Sequence, residues 1–419
     1  RPNLSVPGPS FGGMRILHTS DWHLGRTLHG VDLAEHHAAY LDHLVELTRS
    51  ERPDAVVVSG DIYDRALPPL ESVQLLEDVL ERLAEITRVV VTPGNHDSAV
   101  RLGFGARLFR ERLHVRARIP DAARPVVIPD AAGDAGLLVY PLPYLDPDTA
   151  RSELMAWVEP EAAGQRPPVA RSHEAVLSTV MRRVDADLCS RRGAAGRRLP
   201  AVVMAHAFVV GGQASDSERD IRVGGVDNVP HAVFGAGPEA VDYVALGHLH
   251  GQQQVGPREG AGPRLRYSGS PLAFSFSEMN QVKSTLLIDF GTDGQVSAVR
   301  QVKAPVPRRL SEVRGSVDEV VGRRFEAQRS DWVRVIVTGS RRPDDLVSIV
   351  KQAFPHALEV LFERDGGPLV ARGVSRTVRD PLEVVTEFIR QVGDRPPDEP
   401  ELAVLVAAYE QVRVDERGR

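Results

Sequence analysis

Five short segments of the chain place His, Asp or Asn directly after an apolar run: Asp21-Trp-His23, Gly60-Asp61-Ile-Tyr-Asp64, Gly94-Asn95-His96-Asp97, His206 after Val-Val-Met-Ala, and Gly247-His248-Leu-His250. Imidazole, carboxylate and one amide oxygen together suit Mn, Fe or Zn ions. A lone Asp-x-His or Gly-Asp carries no information, but five such segments, each following a strand-like run, form a pattern. Asp21-x-His23 and His248-x-His250 would set two ligands on the same side of an extended segment. Glycines before Asp61, Asn95 and His248 would let the backbone turn sharply and bring those side chains close to an ion. Asp21, His23, Asp61, Asn95, His206, His248 and His250 exceed what one first-row ion needs. They suffice for two ions sharing a carboxylate, the arrangement that clamps the attacking and leaving oxygens in phosphoryl transfer. His18, His29, His36, His37, His43, His114, His173, His231 and His356 lack such placement and read as surface or packing residues.

Elements must bring these segments together. Met14–His18, Ala55–Val58 and Val89–Val91 read as strands, alternating with helical patterns through Leu33, Leu41, Leu44 and Val45 and then Val73, Leu76, Leu80 and Leu83, the second opened by Pro68-Pro69. This βαβαβ order predicts a layered sheet with helices on its faces. Residues 201–204 and 241–246 add two buried strands, and 265–267, 284–290 and 295–302 add closely spaced β signals around a Gly-Thr-Asp-Gly turn. In such sheets the carboxyl ends of the strands converge on one crevice. Residues 119–135, and 158–170 with 191–198, read as irregular insertions. A boundary near Ala304-Pro-Val-Pro307 divides the chain into a leader (1–13), a catalytic domain (14–305), a small α+β cap domain (306–392) and a linker with a C-terminal helix (393–419). In the cap, 332–338, 344–354 and 356–362 read strand, helix, strand, while 364–380 reads as a linker. Leu402, Leu405, Val406 and Tyr409 recur at helical spacing, a face for a partner or for the cap itself.

Composition narrows the function. With 42% hydrophobic and 26% charged residues the chain is neither collagen-like nor disordered. A formal net charge of −6 excludes gripping nucleic acid by bulk charge, so a polyanion must be held locally. All but three of the 51 basic residues are arginines, the lysines being Lys283, Lys303 and Lys351. The single cysteine, Cys189, excludes an intrachain disulfide or a Cys-rich zinc site and fits the cytoplasm. No apolar run approaches the ~18–20 residues that span a bilayer. The first thirteen residues hold no signal-peptide core and read as a disordered leader before Met14, the expected natural start.

The segments Asp-x-His, Gly-Asp-x-x-Asp, Gly-Asn-His-Asp, His and Gly-His-x-His resemble the calcineurin-like metallophosphoesterase superfamily. Met14-Arg-Ile-Leu-His-Thr-Ser-Asp-Trp-His-Leu-Gly25, Val244-Ala-Leu-Gly-His-Leu-His250, Tyr267-Ser-Gly-Ser-Pro-Leu-Ala-Phe-Ser-Phe-Ser277 and Asp220-Ile-Arg-Val-Gly224 are similar to the nuclease subunits of bacterial SbcC–SbcD complexes. The likeness is strong over 14–300 and extends to 301–419 only in layout. It implies a two-sheet sandwich with helices on both faces, and two Mn2+ ions, with Mg2+ or another divalent ion as the alternative. Asp21, His23, Asp61 and His250 would hold one ion. Asp61, Asn95, His206 and His248 would hold the other, with Asp61 bridging. His96 would be no ligand but a catalytic residue facing the scissile phosphate. Implied partners are DNA, an SbcC-type ATPase and a second copy of the chain within a heterotetramer at the nucleoid, with no membrane. The dimer would form through the helices after the second and third motifs, for which Val73 and Leu108 are the apolar candidates. No Gly-x-x-x-x-Gly-Lys-Ser/Thr loop is present, so ATP hydrolysis falls to the partner. Some relatives carry His where this chain has Asp64, and Asp64-Arg65 instead resembles the Asp-Arg of protein phosphatases. A phosphatase or cyclic-nucleotide phosphodiesterase therefore stands as the alternative enzyme, and a metal-free scaffold as the alternative class.

Overall fold

The computed structural model describes residues 13–109, 111–158, 168–219, 221, 228–237, 239–257, 262–364, 369–370 and 401. The expectations for the leader, for most of Asp220–Gly224, and for the helices at 381–392 and 401–412 fall, apart from single residues, outside this set.

Two six-stranded sheets face each other. The first runs in the order Val296–Lys303, Ser284–Phe290, Met14–Thr19, Ala55–Ser59, Arg88–Thr92, Leu113–Val115. The second runs Gln253–Val255, Arg264–Tyr267, Tyr243–Gly247, Ala201–His206, Ala135–Pro141, Val126–Pro129. Strand alternation decides which core each residue enters. Val57, Val90, Ile16, Val202, Met204, Tyr243 and Ala245 fill the space between the sheets. Val56, Val58, Val89, Val91 and Leu17 turn outward beneath helices Ala34–Glu51 and Leu70–Ile86. Val203, Ala205, Val244 and Leu246 turn outward on the other side, beneath helix His173–Ala195. The result is the expected layered α/β sandwich, helices outside and sheets inside.

Several expectations are corrected. Residues 119–135 are no irregular insertion: Val126–Pro129 is an edge strand that pairs with Ala135–Pro141. Residues 191–195 close a 23-residue helix that was not anticipated. Within the expected linker 364–380, Leu369–Val370 pairs with Phe362 and Glu363. Val73 does not pack with Leu76, Leu80 and Leu83 but is 39% exposed.

A third sheet, Leu310–Gly315, Trp332–Gly339, Ala357–Arg364 and Leu369–Val370, has three parallel strands and an antiparallel fourth. Val313, Val333, Val335 and Val337 face helix Leu346–Ala353, whose Leu346 and Val350 complete that core. Trp332, on the opposite face, packs instead with Leu28, Leu33, Leu272 and Phe274.

His18 is fully buried, with Nδ1 3.0 Å from Tyr243 Oη. Burial pushes its imidazole down to about 3. The unfolded chain therefore binds a proton below the ordinary value of ~6.5 that the fold refuses. Stability from this group is complete above that value and falls with pH by ~1.4 kcal/mol per unit. His18→Asn should flatten the acid limb of stability by about one proton relative to the parent, read as denaturant midpoints of the chelated proteins between about pH 4 and 7.

Candidate metal centre

The parallel strands Met14–Thr19, Ala55–Ser59, Arg88–Thr92, Ala201–His206 and Tyr243–Gly247 all end at one edge of the sandwich, so the five segments meet there. Main-chain bonds lace the loops together: Asp21 N–H donates to Gly60 O at 3.0 Å and His23 N–H to Asp61 O at 3.0 Å. The loops are packed without slack. A Cβ on Gly94 would lie 2.2 Å from Asp61 Oδ1, and one on Gly247 would lie 1.9 Å from Ser59 O.

The segments are not extended as expected. Asp21, His23, Asp61 and His248 have φ of 54°, 48°, 50° and 108°. Left-handed backbone at non-glycine residues costs of order 1–3 kcal/mol each and persists where surrounding structure imposes it. The paired side chains thus converge through strained turns rather than through strand alternation.

The seven predicted residues come together in two halves around Asp61. On one side His23 Nε2 lies 3.1 Å from His250 Nε2 and 3.6 Å from Asp61 Oδ2. On the other, His206 Nε2 lies 3.4 Å from Asp61 Oδ2 and 2.9 Å from Asn95 Oδ1, with His248 Nδ1 3.3 Å from the same Asn95 oxygen. Asp21 reaches both halves: it groups with His23 and His250 and also with Asp61 and His206. Its Oδ1 accepts the His248 N–H at 2.9 Å. Asp21, His23, Asp61, His206, His248 and His250 are all buried, and Asn95 is half-buried with its Nδ2 unpartnered.

His96 stands apart from the Asn95 half. Its Nδ1 is 2.7 Å from the Asp64 carbonyl, and its ring meets His23 edge-on at 4.7 Å. It is half-buried, and its N–H donates to Asp61 Oδ1 at 2.9 Å. His23, Asp64 and His96 form a third grouping close enough for an ion. Arg65 is exposed, while Asp64 turns toward His23 and Arg26.

Burial and the facing charges pull the two carboxylates and the imidazoles in opposite directions. Burial pushes the Asp21 carboxyl up to about 6. Burial would raise Asp61 too, but His206, His23 and His96 outweigh it and hold that carboxyl well below the usual range. Burial pushes His23 down to about 3 and His248 well below the usual imidazole value. His206 resists burial because Asp61 faces it, and it is raised to about 9. A divalent ion between the converging imidazole and carboxylate atoms would offset the burial of the Asp21 carboxylate and take the place of the His206 proton, and the N/O donors suit a first-row cation.

Several supporting residues were missed. Asp97 accepts from Ile62, Tyr63 and Gly94 N–H at 3.0, 2.9 and 2.8 Å and pins the second motif to the third. Ser20 bonds Asp21 and Ser268. Ser217, Glu218, Glu278 and Lys283 surround His250. Asp97 was legible as the last residue of Gly-Asn-His-Asp, and Glu278 directly follows the Tyr267–Ser277 segment.

Comparison with known proteins follows the same outline. Residues 14–252 match the calcineurin-like phosphoesterase family, and residues 306–393 match the type 5 capsule protein repressor C-terminal domain. The chain is 32% identical over 322 residues to the SbcD subunit of the SbcCD nuclease of Escherichia coli (strain K12), covering 76% of this chain and 74% of that one. The crystal structure of TT1561 of Thermus thermophilus aligns over 70% of this chain and 99% of that chain at 13% identity, with a TM-score of 0.37.

Proposed function

This chain belongs to the calcineurin-like phosphoesterases, on the branch of the SbcD nuclease subunits, and on that premise we propose that it is a dimanganese DNA nuclease. It would act as a 3′–5′ exonuclease on duplex ends and as an endonuclease on single strands and hairpins. An SbcC-type ATPase would be its partner in DNA end processing, repair and recombination. The observation that carries this reading is Asp61, a buried carboxylate whose Oδ2 faces one imidazole from each half of the cluster.

We assign Asp21, His23, Asp61 and His250 to one ion and Asp61, Asn95, His206 and His248 to the other. Bound there, two Mn2+ ions, or Mg2+ or another divalent ion in their place, supply an activated water and neutralise charge that builds on the phosphate. Asp61 and Asp21 fix the spacing of the two halves. Asp97 keeps the second and third motifs in register through its three main-chain bonds. His96, its Nδ1 occupied by the Asp64 carbonyl, is left with Nε2 to hold a proton for the departing 3′-oxygen. The third sheet would cover a long substrate, and we place the boundary of that cap domain at 305/306. Leu67, Leu70, Val100, Phe104 and Leu108 are exposed apolar residues following the second and third motifs, and we assign them with Val73 to a second copy of the chain. No helix of the described residues is long and apolar enough to cross a membrane.

One assay separates the enzyme readings. With Mn2+, the protein should cleave linear duplex DNA far faster than a small aryl phosphodiester or a phosphomonoester. Preference for the phosphomonoester would favour the phosphatase, and no Mn2+-dependent turnover of any of the three would leave only the scaffold.

A further inference from the structure

Behind His250 lies a buried ionic network that the proposed reaction does not use. Glu278 and Lys283 are 1% and 5% exposed, and Lys283 Nζ lies 2.5 Å from Glu278 Oε2. Taking such a pair out of water costs more than it returns in stability unless its remaining bonds are filled. Here they are filled by the surroundings of one imidazole. Lys283 Nζ also donates to the His250 carbonyl at 3.0 Å and to Ser270 Oγ at 2.9 Å. Glu278 Oε1 bonds Ser217 Oγ, which is 2.5 Å from His250 Nδ1, and Glu278 Oε1 itself is 3.6 Å from that nitrogen. The His250 N–H donates to Glu218 Oε1 at 2.8 Å. Every polar atom of His250 except Nε2 is thus tied down, and Nε2 faces His23.

The same segment touches the third sheet. Phe276, 1% exposed and two residues before Glu278, lies beneath the Arg334 guanidinium at 4.6 Å. Phe274 packs with Trp332 in one cluster, and its ring is 5.4 Å from that of His250 and 5.2 Å from that of His23. Residues 274–278 therefore have the third sheet on one side and the proposed ligand imidazoles on the other.

We propose that Glu278 is a positioning residue that orients His250 through Ser217, and that Trp332 and Arg334, by clamping Phe274 and Phe276, make this orientation depend on where the third sheet sits. An imidazole that binds a metal through one nitrogen commonly gives its other N–H to a carboxylate or hydroxyl, which fixes ring and tautomer. Displacement of the third sheet, by substrate or partner, would then loosen one metal position and leave the other intact. The proposal rests on His250 being a metal ligand.

The test uses the full chain. In the metal-free protein, 15N spectra of labelled histidines should show His250 as the Nδ1–H tautomer, the resonance being identified by its loss in His250→Ala. Ser217→Ala removes one hydroxyl and should give a mixture of tautomers. Calorimetry with Mn2+ should show two binding steps, one of them weakened about 10- to 100-fold in Ser217→Ala and Glu278→Gln, the other unchanged. Arg334→Ala should weaken the same step about three- to tenfold, and Arg334→Lys, which keeps the cation over Phe276, should recover most of it. Should Glu278→Gln fail to fold because Lys283 is left unpaired, Ser217→Ala decides alone. His250→Ala must lose one step outright; if it keeps both, the ligand assignment fails. If His250→Ala loses a step while Ser217→Ala changes neither the tautomer nor either affinity, the positioning role is overturned. An unchanged Arg334→Ala overturns the link to the third sheet.

Discussion

Asp61→Asn is expected to lower Mn2+-dependent cleavage by about three decades and to remove both bound ions together. The side chain is nearly isosteric, so the loss would come from charge. Asp61 Oδ2 lies 3.6 Å from His23 Nε2 and 3.4 Å from His206 Nε2, while Oδ1 accepts the His96 N–H at 2.9 Å. An amide in its place cannot neutralise cations on two sides, and its NH2 group would meet either His206 or the His96 N–H. A divalent pair contributes several kcal/mol of charge stabilisation, and ~1.4 kcal/mol corresponds to a decade of rate. His23→Asn should be milder in stoichiometry, one ion rather than two, because the Asn95, His206 and His248 half does not contain it. Calorimetry for bound Mn2+ and a duplex cleavage assay on the same preparations check both variants. Near-normal Mn2+-dependent cleavage by Asp61→Asn would sink the bridging assignment.

Asp61 also shows how far the sequence could be read. Its place after Ala55–Val58 was legible because a β-branched valine run followed, after Ser59, by Gly-Asp reads as a buried strand running out into a loop. The same logic located His206 and His248. The backbone conformation of the ligands was not legible. Asp21, His23, Asp61 and His248 take positive φ, a cost no local propensity predicts, because it is imposed by loops packed against one another across two sheets. Val126–Pro129 was missed because it is short, lies at a sheet edge, exposes Val127 and stands beside prolines. The network around His250 was hidden for another reason. Ser217, Glu278 and Lys283 are residue types that surfaces use everywhere, and Ser217 lies 61 positions from Glu278. Only the fold makes them neighbours.

For His96 the two levels of reading converge on one expected result: His96→Asn or His96→Leu should leave two Mn2+ ions and DNA affinity nearly intact while cleavage slows by about two decades or more. From the sequence, a residue directly after Asn95 should point away from the ion that Asn95 serves. In the fold, the Asn95 oxygen faces His206 and His248, whereas the His96 ring turns to His23 and gives its Nδ1 to the Asp64 carbonyl at 2.7 Å. In the proposed role that bond would spend one nitrogen on orientation and leave the other for the substrate, on a residue half-buried rather than sealed. Acid catalysis by a positioned side chain supplies ~10²–10⁴-fold, about 3–5 kcal/mol of barrier. The competing role is support: the His96 N–H holds Asp61 Oδ1, but that is a main-chain bond, which either substitution keeps. A side chain that acted only as a strut would do so through His23, its edge-on neighbour, or through the Asp64 carbonyl that its Nδ1 meets. Metal counting separates the two. If the variant loses an ion in step with its activity, His96 is structural support for the cluster; if both ions stay and the rate falls, the proton at Nε2 is what was removed.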